Sequence, residues 1–215
     1  MTIASLSAVI TGDLIHSRQA SATQVDLAMD TLRDAAAEAE ARSNRTLQFT
    51  RFRGDGWQIH LDTAGAALGT AVWLHAKLRA TGLKIDTRMA VGIGGITSTG
   101  TTSLADASGV AFEISGQTLD TIGKRRITIA GTGVTQELSA IFGLVEHIIF
   151  DWTANQAEAA ALALAYPDKT QEDIATKLGI TRQAVQLRLA GAGAAPISAA
   201  VDALLRHDFW KAHIT

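Results

Sequence analysis

The chain has 215 residues, enough for one large domain or two small ones. Its composition, 47% hydrophobic and 19% charged, is typical of a folded globular protein. It contains no cysteine, which excludes disulfides, thiolate metal sites and cysteine nucleophiles. Its formal net charge of −2 makes the whole chain an unpromising nucleic-acid binder, so any DNA contact must come from a local patch. No stretch reaches the roughly 20 apolar residues of a membrane span. Residues 1–10 resemble a strand more than a signal peptide, so we expect a cytoplasmic protein with no membrane partner.

The first 96 residues predict the element order β-α-β-β-α-β, which is the ferredoxin-like arrangement of the α+β class. A strand of small, β-branched and apolar residues ends at Gly12-Asp13, and the helix that follows begins with capping-box spacing at Ser21. Two runs of alternating polarity around Gly54-Asp55-Gly56 indicate a β-hairpin. The predicted elements occupy residues 5–12, 21–43, 47–53, 57–61, 64–81 and 84–96.

The pattern becomes mostly helical after this unit. A loop rich in glycine, serine and threonine leads to a short helix near residues 110–122 and a strand at 126–130. Residues 134–165 are largely helical, and Tyr166-Pro167-Asp168 interrupts the pattern. We therefore predict a ferredoxin-like, cyclase-like domain at residues 1–135, a helical connector at 136–166 and a helix-turn-helix domain at 167–215.

Two aspartates are expected to meet at one edge of the predicted sheet. In a ferredoxin-like sheet the first strand lies beside the third, which brings Asp13 close to Asp55. Neighbouring carboxylates repel unless a cation lies between them, and Mg²⁺ with two carboxylates, water and phosphate oxygens suits such a pair. Gly12 and Gly54 would let a phosphate approach the backbone closely. Alternatively, each aspartate alone is an ordinary turn residue.

Four segments, ITGDLIHSR, RFRGDGWQ, RMAVGIGG and GVAFEISGQTL, resemble the SatD family over about residues 5–125. That family in turn resembles the palm-like catalytic domain of class III nucleotide cyclases. The resemblance implies that Asp13 and Asp55 match the two metal-binding aspartates of the cyclases. It also implies an asparagine and an arginine on the helix after the glycine-rich strand, where this chain has Glu113 and Gln117. Metal and nucleotide binding are therefore better supported than turnover.

Several basic residues are expected to meet the phosphates of a nucleotide. Arg18, Arg53 and Arg88 are the candidates for direct binding, and Arg51 and the run 124–126 are further candidates. His16 can contact a nucleotide or be a surface-loop residue. Trp57 and Trp73 are expected to pack in the core, with stacking on a base as the alternative. His60 and His75 are expected to be partly buried residues and not metal ligands.

Residues 170–190, TQEDIATKLGITRQAVQLRLA, match the helix-turn-helix pattern and resemble the DNA-binding helix pairs of sigma-factor region 4 and many bacterial regulators. Thr170 and Thr181 are expected to cap the two helices, and Gly179 to end the first. The second helix would place Arg182, Gln183 and Gln186 on base edges, with Thr181, Arg188 and Lys177 on phosphates. The alternative is a helical packing module that binds protein or nothing.

These features favour a DNA-binding transcriptional regulator, expected to be a homodimer, whose N-terminal domain binds Mg²⁺ and a nucleotide or related phosphate. The first alternative is an active nucleotidyl cyclase or related metal-dependent phosphoryl-transfer enzyme. The second alternative is a non-catalytic scaffold in which both aspartates are surface turn residues.

Overall fold

The computed structural model describes residues 6–43, 45–52 and 54–210. Five strands form one sheet: β1 (Ser7–Ile15), β2 (Leu47–Arg51), β3 (Gly56–Leu61), β4 (Asp86–Gly94) and β5 (Ile127–Gly131). The helices are α1 (Ala22–Ser43), α2 (Ala67–Ala80), α3 (Val110–Asp120), α4 (Gln136–Ile149), α5 (Ala154–Ala165), α6 (Gln171–Leu178), α7 (Arg182–Gly191) and α8 (Ala194–Leu205). Short 3-10 turns occur at Ser17–Gln19, Ala64–Ala66 and Leu104–Asp106.

The sheet has the order β2-β3-β1-β4-β5. The three pairings among β1 to β4 are antiparallel, and the pairing of β5 with β4 is parallel. Together with α1 and α2 these four strands form the predicted βαββαβ unit, so the α+β prediction is confirmed. The predicted end of the first strand at Gly12-Asp13 is wrong: β1 pairs with β4 as far as Ile15, because β4 continues to offer backbone partners there.

The two faces of the sheet are covered differently. Helices α1 and α2 bury one face in a large core with residues such as Ile10, Leu32 and Ile59. Helix α3 covers the other face and lies so close that a Cβ at Gly92 would come within 2.3 Å of the Ala111 carbonyl oxygen. Only glycine permits such a backbone-to-backbone approach.

The helices after the sheet extend the same large core. Phe142 of α4, Ala160 of α5 and Leu204 of α8 all belong to the cluster that fills the space around α2. A separate small cluster joins α6 and α7 through Ile174, Ala175 and Val185, against apolar side chains of α5. Helix α5 therefore contributes to both clusters. The division at residues 135 and 166 stays a prediction.

Buried polar contacts hold the turn between α4 and α5. The Trp152 indole donates a hydrogen bond to the Ala192 carbonyl at 2.8 Å, and Arg79 Nε donates to the Trp152 carbonyl at 2.6 Å. His75, fully buried on α2, lies 2.8 Å from the Ile149 carbonyl oxygen through Nε2. These contacts fix the position of α4 and of the start of α8 relative to α2.

Helices α6 and α7 lie where the sequence predicts a helix pair. Thr170 and Asp173 form a reciprocal capping box at the start of α6. Gly179 ends α6 in the left-handed conformation at φ 64°, and the Thr181 hydroxyl caps α7 by accepting from the Ala184 amide. Helix α8, which follows the glycine-rich turn at residues 191–193, is not predicted from the sequence.

Within the described residues, no single helix is long and apolar enough to cross a membrane, although the pair α7 and α8, bent by 61°, has sufficient length and composition.

Gly12 lies in the middle of β1 directly under the ring of Trp57. A Cβ at Gly12 would lie 2.4 Å from the Trp57 ring and 2.8 Å from the Arg88 carbonyl oxygen. The fully buried Trp57 indole also donates to Thr87 Oγ1 at 3.0 Å, which fixes its position. The glycine is therefore required by packing against Trp57.

We expect Gly12→Ala to destabilise the protein by about 1–3 kcal/mol, because neither the fixed indole nor the strand backbone can yield without strain. The free energy of unfolding from chemical denaturation measures the effect. Gly116→Ala on α3 is the matched control, because a Cβ there meets nothing within 4 Å. It should be neutral or stabilise by about 0.5–1 kcal/mol. Equal effects at both positions would contradict the packing argument.

His60 is buried on β3 under α3, stacked near Phe112, and neither ring nitrogen has a hydrogen-bond partner in the described part of the chain. Burial lowers the pKa of His60 below its ordinary 6.5, outweighing the opposite effect of Asp62. Below about pH 6.5 the unfolded chain therefore takes up a proton that the folded protein does not, and stability falls as the pH decreases.

We expect His60→Leu to remove this part of the pH dependence. From about pH 6.5 downward, the wild-type free energy of unfolding should fall relative to the variant by at most about 1.4 kcal/mol per pH unit. Denaturant melts of both proteins between about pH 7.5 and about pH 5 measure the difference. Parallel stability curves for the two proteins would contradict the assignment to His60.

Candidate functional site

The strand directions bring the ends of four strands, β1, β3, β4 and β5, to one edge of the sheet. Strand β1 ends at this edge, and its antiparallel neighbours β3 and β4 begin there. Because β5 is parallel to β4, it begins at the same edge. The segment after β1, the β2–β3 turn and the loop before β5 therefore converge, although the first and the last of them lie more than 100 positions apart in sequence.

A cavity of about 520 Å³ opens where these segments meet. It is lined by Asp13, Leu14, Ile15, His16, Ser17, Arg18, Gln19, Asp55, Arg88, Gly123, Lys124, Arg125 and Arg126. Both predicted metal-binding aspartates and two of the three predicted phosphate-binding arginines thus line one cavity. The cavity has five arginine or lysine side chains and two carboxylates, which makes its lining cationic.

Arg88 forms a bidentate ion pair with Asp13 across the adjacent strands β4 and β1. Arg88 Nε donates to Asp13 Oδ1 at 2.7 Å, and Nη2 donates to Oδ2 at 2.5 Å. The pairing is set by the sheet register, in which the two residues face each other. The Asp13 hydrogen bonds, together with Coulombic attraction from Asp13 and Asp55, raise the pKa of Arg88. The two carboxylates therefore already have a cation beside them, and that cation is a guanidinium.

Asp55 is held in place from the other side of the cavity. Its Oδ2 accepts a hydrogen bond from the Ser17 hydroxyl at 2.5 Å, and its carbonyl oxygen accepts from the Leu14 amide at 3.0 Å. Within the described residues its Oδ1 receives no hydrogen bond. Ser17 is a site residue that the sequence analysis missed, and a serine after a strand carries no signal that would single it out.

The arrangement does not fit a divalent metal ion as it stands. Both carboxylate oxygens of Asp13 are occupied by Arg88, and one oxygen of Asp55 by Ser17. Mg²⁺ binds carboxylate oxygens directly in a near-ideal octahedron, which Arg88 obstructs. No group of three or more potential ligands for a metal occurs among the residues that the structure describes. Mg²⁺ binding by Asp13 and Asp55 stays a prediction.

The basic loop before β5 is attached to helix α4. Glu146 accepts from Arg125 Nε at 3.0 Å and from the Arg126 amide at 2.7 Å. The Arg126 guanidinium lies 5.0 Å from the centre of the Phe150 ring, a cation–π distance. Lys124 is exposed and forms no ion pair with any described residue. The backbone of the loop is thus fixed while charge remains available to a ligand.

The turn after β1 contributes a second available cation. Arg18 is exposed and has no ion-pair partner among the described residues. His16 has φ 67° and is the only non-glycine residue in the described chain with a positive φ. Such backbone is uncommon for a side-chain-bearing residue and is found preferentially at functional sites.

Other predicted nucleotide-binding residues lie elsewhere. Gly12 does not line the cavity, because Trp57 fills the space beside it. Gly54 has φ 85° in the hairpin turn and open space around it. Arg53 lies outside the described residues. Arg51 points to helix α1, where it forms an ion pair with Asp26 at 2.8 Å.

The two residues that the family resemblance sets against the cyclase asparagine and arginine lie on α3. Glu113 and Gln117 are both exposed there, and neither lines the cavity. The tryptophans predicted as core residues are buried, Trp57 fully and Trp73 at 5% exposure, so that prediction is confirmed. His60 and His75 are likewise buried.

The predicted DNA-contacting residues separate into two groups. Thr181, Arg182, Gln183 and Gln186 are exposed along the first half of α7. Lys177 instead lies over the Tyr166 ring at 4.7 Å, and Arg188 forms an ion pair with Glu158 of α5 at 3.2 Å. The first group presents a polar surface, while the second contacts neighbouring parts of the same chain.

Comparisons with known proteins give a weak and partial similarity. No protein-family profile matches the sequence, and no curated protein matches it either. Two solved structures of a bacterial light-regulated adenylyl cyclase are similar at 11% sequence identity. The match to the first has a TM-score of 0.40 and covers 59% of this chain but only 43% of the cyclase chain. The match to the second has a TM-score of 0.34 and covers 58% of this chain and 75% of the cyclase chain. At these values the similarity assigns neither a family nor an activity.

Proposed function

We propose that the protein is a DNA-binding regulator that takes a phosphate-bearing ligand of the nucleotide class into the cavity at the end of β1. The observation that carries the proposal is the cationic lining, in which Arg18 and Lys124 have no ion-pair partners among the described residues. Unpaired cations around a concave site favour an anionic ligand, and phosphate oxygens are strong acceptors for arginine and lysine.

The remaining polar groups favour a nucleotide over a bare phosphate. A cavity of about 520 Å³ is within the range of small-molecule sites and exceeds what one phosphate needs. Oδ1 of Asp55 has no donor in the described chain, so it can accept a hydrogen bond from a ribose hydroxyl. His16, which also lines the cavity, offers a ring surface and a further hydrogen-bonding group.

We expect Lys124→Gln and Arg18→Gln each to weaken binding of nucleoside triphosphate by roughly tenfold, because each removes a charge-assisted contact. Thermal melting with a series of nucleotides measures this, since ligand at a hundred times its Kd adds about 2.7 kcal/mol of stability. Lys84→Gln is the matched control, because Lys84 is exposed and lies outside the cavity. No stabilisation of the wild-type protein by any nucleotide would contradict the proposed ligand class.

Helix α7 supports the DNA-binding part of the proposal. It exposes Arg182, Gln183 and Gln186 in its first half, close to the N-terminus that Thr181 caps. Arginine and glutamine read guanine and adenine edges in the major groove. A homodimer, which remains a prediction, would double these contacts and offset the neutral charge of residues 155–215, which have six basic and six acidic side chains.

The Arg188–Glu158 pair predicts how DNA affinity responds to mutation. We expect Glu158→Gln to strengthen binding of promoter DNA severalfold, because Arg188 is released to contact phosphate and a repelling charge is lost. Arg182→Ala should weaken binding and relax specificity. Electrophoretic mobility shift at low salt, with DNA from upstream of the gene, measures both.

Glu172→Gln on α6 is the control for this experiment, because it removes an exposed carboxylate of the same region that contacts no cation in the described chain. If Glu158→Gln and Glu172→Gln increase affinity equally, the effect is net charge alone. Absence of any wild-type shift would remove DNA binding from the proposal and leave the ligand cavity unaffected.

The phosphoryl-transfer alternative has less support. Glu113 has no amide where the cyclase resemblance implies an asparagine, Gln117 has no guanidinium where it implies an arginine, and Asp13 is engaged by Arg88. The scaffold alternative is disfavoured because Asp13 and Asp55 line one cavity and do not point apart.

A further inference from the structure

We propose that Arg88, paired with Asp13 in the cavity that Asp55 also lines, takes the place of a metal ion, so that the cavity receives its anionic ligand without a divalent cation. The inference rests on the proposed function only for the identity of the ligand. Its central claim, that Arg88 excludes a metal from the two carboxylates, stands on the geometry of the three side chains.

The ion pair is built into the sheet. Arg88 and Asp13 are register partners on adjacent antiparallel strands, so their backbones are fixed relative to each other by the ladder. The guanidinium engages both oxygens of Asp13, with only 26% of the Asp13 side chain exposed. This planar, two-bond geometry is more specific than a surface pair between flexible side chains.

The charge balance makes a divalent ion unnecessary. Arg88 lies within the electrostatic influence of both carboxylates, as the Coulombic contributions of Asp13 and Asp55 to its raised pKa indicate. A divalent ion added beside it would have to displace the guanidinium or tolerate like-charge repulsion. Arg18, Lys124 and Arg126 already supply positive charge to a phosphate entering the same cavity.

Arg88 can also contact the ligand directly. Its bonds to Asp13 use Nε and Nη2, which leaves the Nη1 donors without a partner in the described chain. The side chain is 38% exposed and lines the cavity. One guanidinium can therefore neutralise Asp13 and donate to a phosphate oxygen, whereas in a metal site the ion performs both tasks.

Binding of Mn²⁺ to the protein without any nucleotide tests the central claim. Electron paramagnetic resonance of free Mn²⁺ in a titration compares the wild type with Arg88→Gln, Arg88→Lys and the double variant Arg88→Gln/Asp55→Asn. We expect Arg88→Gln to bind Mn²⁺ about tenfold or more tightly than the wild type, because it uncovers Asp13 while keeping a polar side chain. Arg88→Lys should stay close to the wild type, and Asp55→Asn should cancel the gain. Arg206→Gln is the control for loss of one surface arginine.

Two results would overturn the proposal: wild-type protein that binds Mn²⁺ as tightly as Arg88→Gln, or folded Arg88→Gln that binds no more than the wild type. Far-UV circular dichroism establishes that each variant is folded. If Arg88→Gln does not fold, the wild-type protein tests the proposal alone. Saturable Mn²⁺ binding by the wild type that is lost in Asp13→Asn and Asp55→Asn would contradict exclusion of the metal by Arg88. Absence of Mn²⁺ binding by the wild type would support it.

A second measurement separates this inference from the proposed function. The melting shift of the wild type with nucleoside triphosphate is recorded with excess chelator and with added Mg²⁺. An equal shift in both supports a metal-independent site, and a shift that requires Mg²⁺ overturns it. A missing shift in both overturns the proposed ligand class, while the Mn²⁺ titration still decides the role of Arg88.

Discussion

Strand β1 lies at the centre of the sheet, and its pairing determines which segments meet at the cavity. It is hydrogen-bonded on both sides, to β3 and to β4, so its register determines what meets at its end. This register alone puts Asp13 opposite Arg88 and next to the β2–β3 turn. The parallel addition of β5 then brings the basic loop at residues 123–126 to the same edge. The cavity is thus a product of strand order, with side chains supplied by segments that are distant in sequence.

Helix α5 has a comparable role in the helical half. One side of it packs into the large core around α2, and the other side carries the small cluster formed by α6 and α7. The helix pair consequently has few buried apolar residues of its own and depends on α5 for its position. Burial is the main favourable contribution to folding, so α6 and α7 are expected to be ordered only while that surface is present.

Local patterns were enough to predict the βαββαβ order, the caps at Thr170 and Thr181 and the turn at Gly179, because each depends on residues within one turn or strand. Topology then placed Asp13 near Asp55. The sequence could not indicate that Arg88 would pair with Asp13, since register between strands 75 positions apart is set by the whole sheet. Gly12 was misleading for the same reason: its flexibility suggested a phosphate contact, whereas the close approach of Trp57 is visible only in three dimensions.

The attachment of the basic loop to α4 connects the cavity with the helix pair through a short series of contacts. Glu146 of α4 and Phe150, the residue after α4, contact Arg125 and Arg126. Two residues beyond Phe150, the Trp152 indole donates a hydrogen bond to the carbonyl of Ala192, the residue after α7. If these contacts couple the cavity to α7, thermodynamic reciprocity requires that the proposed ligand and the proposed DNA change each other's affinity by the same factor, so an operator would act as an effector of ligand binding.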